Sequence, residues 1–63
     1  MDKAKPHYRI ELLTDVSLRW YASIVTYYLE SSSWSSEYTR TAETWQEALA
    51  LAQQRIEERR RKR

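Results

Sequence analysis

Residues 18–29 read LRWYASIVTYYL, and this stretch decides the fold. Successive side chains of a strand point to opposite faces. Trp20, Ala22, Ile24 and Tyr28 therefore share one face, and Tyr21, Val25, Tyr27 and Leu29 share the other. Both faces are apolar or aromatic, and the β-branched and ring-bearing residues favour an extended backbone. The remaining sequence offers one helical segment, enough to cover one face. The other face is left as a candidate surface for a partner or a second copy of the chain.

Toward the N-terminus, His7 to Leu13 alternates, with Tyr8, Ile10 and Leu12 on one side and Arg9 and Glu11 on the other. That pattern predicts a half-buried strand. Thr14 to Ser17 joins it to residues 18–29 through a turn that carries Asp15 but lacks the Asn-Gly pair of a tight hairpin. Met1 to Pro6 is expected to be a flexible leader, ended by a proline that cannot donate to a ladder. Toward the C-terminus, Glu30 to Ser33 is a polar loop. Trp34 to Arg40 follows as a less hydrophobic third strand, suited to an edge. Alternation groups Trp34, Ser36 and Tyr38, but a one-residue slip in the serine-rich loop would flip all three, so their face stays open.

The helix has a start signal. Thr44-Trp45-Gln46-Glu47 has the form of a capping box, with Thr44 as N-cap and Glu47 reaching back. Trp45, Ala48, Leu49, Ala52 and Ile56 then recur at helical spacing. Good helix formers continue through Arg63. The chain has no glycine, so neither a phosphate-cradling loop nor a turn that demands glycine is expected. The predicted architecture is α+β, a three-stranded antiparallel sheet packed on one C-terminal α-helix in the order β-β-β-α. Residues 7–58 form the domain, 1–6 the leader and 59–63 a basic tail that extends the helix. Its expected core is Tyr8, Ile10, Leu12, Trp20, Ala22, Ile24, Trp45, Ala48, Leu49, Ala52 and Ile56.

A chain of 63 residues buries only about 60% of the surface its unfolded form exposes. Such small domains usually add a disulfide, a metal or a partner. There is no cysteine and a single histidine, His7, so disulfides and a cysteine-based zinc site are excluded and no metal or other cofactor is expected. Oligomerisation is the staple that remains. No stretch reaches the roughly 20 apolar residues of a membrane span, and no small-molecule substrate is suggested. The composition fits a cytoplasmic protein.

Net charge is +2, but it is unevenly placed. Residues 1–54 carry five basic and seven acidic groups, whereas residues 55–63 carry six basic and two acidic ones. Attraction to nucleic acid would come from the tail. Arg59, Arg60, Arg61, Lys62 and Arg63 are the candidate phosphate-binding residues, with little sequence preference and strong salt dependence. The same residues also complement the helix dipole and form favourable pairs four apart, Glu57 with Arg61 and Glu58 with Lys62.

Three tryptophans and five tyrosines, against no phenylalanine, favour rings with a polar handle, which are enriched at interfaces. Tyr21, Val25, Tyr27, Leu29 and Trp34 are accordingly the candidate partner-binding residues. Their occupant would be another protein, a second copy, or the chain's own loop or leader. Catalysis finds little support, because the one nucleophile–base combination on offer is His7 with a serine of the Ser31 to Ser36 run.

RWYASI together with TAETWQEALALAQ resembles the small phage-encoded inhibitor of host RNA polymerase found in T-odd coliphages. The resemblance covers about a third of the chain and implies a sheet-plus-helix protein that binds the polymerase without being an enzyme. Thr44, Glu47, Ala48 and Leu49 are similar to the helix start of HicB-like antitoxin domains, though the glycine- and proline-rich middle of that family has no counterpart. LRWYASI followed by EALALAQ resembles the arm-type DNA-binding domain of phage integrases, also three strands and a helix. This chain has ESSSWSSEY where those domains carry basic residues. The resemblances imply a non-enzymatic regulator of the kind phages and mobile elements encode.

Overall fold

The architecture follows from one central strand with a different neighbour on each side. In a computed structural model, which describes residues 5–61, β1 (His7–Thr14), β2 (Trp20–Tyr28) and β3 (Ser33–Tyr38) form an antiparallel sheet in the order β1-β2-β3. Helix α1 (Trp45–Arg61) follows. The β-β-β-α order and the α+β class are as the sequence predicts, and the apolar stretch forms the central strand. The leader's first four residues, Lys62 and Arg63 lie outside the described residues.

Cross-strand pairing settles the two faces. Tyr8 pairs with Thr26, Ile10 with Ile24 and Leu12 with Ala22. On the other side of β2, Ile24 pairs with Glu37 and Thr26 with Ser35. These residues share the face under α1, where Ala22, Ile24, Ala52 and Ile56 cluster and Tyr8, Ile10 and Leu12 pack around them. Four of the six buried hydrophobic residues described are alanines, Ala22, Ala42, Ala48 and Ala52, and Ile24 and Ile56 are the other two. Small side chains on both surfaces let helix and sheet approach closely, and they leave a thin core.

Boundaries differ from expectation at both hairpins. Leu18 and Leu29 are not part of β2. The first turn is Asp15 to Arg19, not Thr14 to Ser17, because Asp15 organises it. The Asp15 N–H donates to the Arg19 carbonyl at 2.9 Å, and the Leu18 N–H donates to the Asp15 carbonyl at 2.9 Å. The Asp15 carboxylate accepts from the N–H groups of Ser17 and Arg19, a side-chain substitute for a backbone turn. The second turn spans Leu29 to Ser32, closed by the Ser32 N–H on the Leu29 carbonyl, and β3 ends at Tyr38, before Arg40.

The expectation that no turn needs a glycine is overturned. Leu18 (φ 63°) and Ser32 (φ 54°) both occupy the left-handed region, which costs an L-residue with a Cβ about 1–2 kcal/mol. Leu18 is 79% exposed, so its side chain returns little through burial. Replacing Leu18 with glycine should therefore stabilise the fold by up to about 1 kcal/mol, after allowing for the added freedom of the unfolded chain. For a domain this small, that raises Tm by about 4–8 °C. An unchanged or lower melting temperature for Leu18→Gly would show that Leu18 makes a compensating contact.

The core contains a further correction. Trp45, expected inside, is 45% exposed. It is the first residue of α1, immediately after the cap, and its place at the end of the core is taken by Ala42. Ala42 bridges to Trp20 through two backbone hydrogen bonds of 2.7 and 2.9 Å and is buried. Trp20 and Leu49 are half-buried rather than fully enclosed. The hydroxyl half of the capping box is present, with the Glu47 N–H donating to Thr44 Oγ1 at 3.2 Å.

Candidate interaction surface

The open face of the sheet is built from the alternate residues. Across the strands, His7, Tyr27 and Trp34 make one row, and Arg9, Val25 and Ser36 the next. Glu11, Ser23 and Tyr38 follow, and then Leu13 beside Tyr21. No described element lies over this face. It joins Tyr21, Val25 and Tyr27, which the sequence groups on one face, and pairing with β2 settles the face that the sequence left open by placing Trp34, Ser36 and Tyr38 with them. Leu29 is in the turn beyond β2 and exposed, outside the strand register that orders the other four.

Two ring groups divide the surface. Tyr21 and Tyr38 meet edge to face, centroids 5.7 Å apart and planes at 69°. That arrangement suits the ring quadrupoles. Ser23 pairs with Tyr38 and lies two residues from Tyr21, and it is buried. At the other end, His7, Tyr8, Arg9, Val25, Tyr27 and Trp34 line a shallow open depression of about 460 Å³. Trp34 is 65% exposed and Tyr27 42%. Arg9 also pairs with Glu11 at 3.2 Å along the same strand, both side chains well solvated. An exposed pair of this kind adds less than about 1 kcal/mol.

The basic helix end has structural work within the fold. Arg59 donates from Nη1 to the Thr26 hydroxyl at 3.0 Å and from Nη2 to the Glu37 carboxylate. Arg55 reaches the other oxygen of Glu37 at 3.3 Å. The Arg60 guanidinium carbon lies 5.6 Å from the centroid of the Tyr8 ring, within cation–π range. Arg61 is the last residue of α1 and exposed. Arg59 and Arg60 thus tie the helix end to both edges of the sheet. They do so at the end that carries His7, Tyr27 and Trp34, since Tyr8 and Thr26 precede or follow those residues in register.

Several features escaped the sequence reading. Tyr38 and the flanking His7 and Arg9 join the ring surface only once the strand register is known. The Glu37 clamp has one legible sign, Arg55 and Arg59 being four apart on a helix, but nothing local marks Glu37 as their partner. His7 sits on the open face, and the serine hydroxyl contact recorded in the loop is between Ser31 and Ser33, 2.8 Å apart. A second depression of about 350 Å³ lies between Thr39, Arg40 and the helix residues Leu51, Gln54, Arg55 and Glu58. Among the described residues, no helix is long and apolar enough to cross a membrane.

The chain matches no protein-family model, no curated protein and no solved structure.

Proposed function

We propose that this chain is a non-enzymatic binding module that engages a protein partner through the open face of its sheet. The observation that carries this reading is the run of exposed rings, Tyr27, Trp34 and Tyr38, on a face with no described element over it. Exposed tyrosine and tryptophan side chains on one face are the usual anchors of protein interfaces. Such a module fits a small regulator or inhibitor of the kind phages and mobile elements encode. Tyr27→Ser with Trp34→Ser should leave the circular dichroism spectrum and thermal unfolding close to wild type. The same pair should abolish recovery of the partner from a nuclease-treated lysate. Unfolding of the double variant would mean that these rings are core, and the reading would fall.

One observation favours a second reading, nucleic-acid binding led by the basic tail. The arginines of the helix end sit at the same end of the molecule as the Tyr27–Trp34 depression. This reading expects affinity for DNA or RNA to fall steeply with salt, and a partner lost on nuclease treatment.

A further inference from the structure

We infer that the free edge of β3 pairs with the β3 of a second copy of this chain. The pairing joins two three-stranded sheets into one six-stranded sheet with two-fold symmetry. This inference does not rest on which partner the open face takes.

The backbone directions come first. The Thr39 N–H donates to the Ala22 carbonyl at 2.9 Å, one step beyond the pairing of Ser23 with Tyr38 and in the same register. In an antiparallel ladder the bonded residues alternate along each strand. Glu37, Ser35 and Ser33 therefore turn their N–H and C=O groups toward β2. Trp34, Ser36 and Tyr38 turn theirs outward, off the edge of the sheet. These three outward residues are centred on Ser36.

A two-fold axis through Ser36 satisfies all of them. Ser36 then exchanges both hydrogen bonds with Ser36 of the second copy. Trp34 falls opposite Tyr38 of the second copy, and Tyr38 opposite its Trp34. Trp34 and Tyr38 are 65% and 63% exposed in the single chain, and directly opposed aromatic side chains on one face stabilise a sheet. Because the axis is perpendicular to the sheet, both open faces lie on one side and both helices on the other.

Charge and bulk allow it. Glu37 is the one charged residue in β3. It would face Ser35 of the second copy, and Arg55 and Arg59 already hold its carboxylate. Ser33 and Ser35 put little bulk beside the neighbouring molecule. Proteins usually guard an exposed edge with lysine, proline, a bulge or a covering element, and β3 from Ser33 to Tyr38 has none of these. The opposite edge is better protected. Pro6 precedes β1, Arg9 and Glu11 stand along it, α1 packs against it, and Arg60 lies over Tyr8. A six-residue edge is only about 20 Å long. A strip of that length falls short of burying the roughly 800 Å² per partner of a standard interface, so the dimer depends on concentration.

The test is solution mass by sedimentation equilibrium on the full chain, from about 1 μM to about 1 mM. The mass should rise from the 7.7 kDa of one chain toward twice that value. Ser36→Pro removes the central outward N–H without touching the β2 ladder, and Ser36→Lys sets two ammonium groups against each other at the axis. Both should stay at the single-chain mass at every concentration. Ser36 is exposed, so the lysine variant keeps the test valid even where proline disturbs the strand. A single-chain mass throughout overturns the inference. So does a doubling that survives Ser36→Lys, or one that Arg9→Glu on β1 abolishes instead.

Discussion

Truncating Ile24 to alanine should unfold a large share of the molecules. Ile24 is the one large side chain described as fully enclosed. It pairs with Ile10 on one side and Glu37 on the other and packs with Ala22, Ala52 and Ile56. Two of its cluster neighbours, Ala22 and Ala52, are alanines, which cannot extend to fill the space left. Removing a buried isoleucine side chain costs about 2–5 kcal/mol, the upper part of that range applying where the site cannot collapse. A domain of this length has about 3–9 kcal/mol in total, at about 0.05–0.15 kcal/mol per residue. The loss should appear in urea unfolding followed by tryptophan fluorescence. Ile24→Val, which removes one methylene, should lose about 0.5–1.5 kcal/mol. Equal, small losses for both variants would place the centre of the core elsewhere.

The second large effect is expected at Thr39, where the sheet changes register. Tyr38 pairs with Ser23, yet Ala42 bridges Trp20, so one extra residue is accommodated between the two positions. Thr39 closes the gap. Its N–H donates to the Ala22 carbonyl, and its hydroxyl oxygen accepts the Ala22 N–H at 3.0 Å, where a regular ladder would offer a carbonyl. The same hydroxyl donates to the Arg40 carbonyl at 3.0 Å. Ala22 is fully buried. Thr39→Val keeps the shape and strands the Ala22 N–H, at a cost of about 1–3 kcal/mol. Thr39→Ser retains the hydroxyl and should recover most of that loss. Urea midpoints for the two variants that coincide with each other and with wild type would show that the hydroxyl is dispensable.

The sequence is most legible where period and burial agree. Residues 20–28 alternate between two apolar faces, residues 7–14 between an apolar and a polar face, and Thr44 with the alanine stripe marks the helix. These signals are local, and they specify the β-β-β-α order. What was not legible depends on contacts distant in sequence. The helix spacing of Trp45 matched the core stripe, but Ala42 reaches that end of the core through a bridge to Trp20 that no local pattern announces. Thr26 is a polar residue on the buried face, and its hydroxyl is satisfied by Arg59 from the far end of α1, a partner that no local pattern marks. Leu18 and Ser32 adopt positive φ with no glycine to advertise it, because Asp15 and the serine loop supply the turns by other means. The ring surface was legible in its β2 members. Its β3 members required the register, which the four-residue turn from Leu29 to Ser32 sets.

Helix α1 packs against β1 and β2, while its described ties to β3 are side-chain contacts from Arg55 and Arg59 to Glu37. Solvent-exposed hydrogen bonds with little apolar cover open at lower free energy than a packed core. The molecule therefore has two tiers of rigidity. The β1–β2–α1 unit is the part expected to persist longest, and β3 is the strand expected to open at the lowest free energy. Trp34 and Tyr38 ride on that looser tier, so the most exposed rings of the surface can adjust to whatever they meet without disturbing the core beneath them.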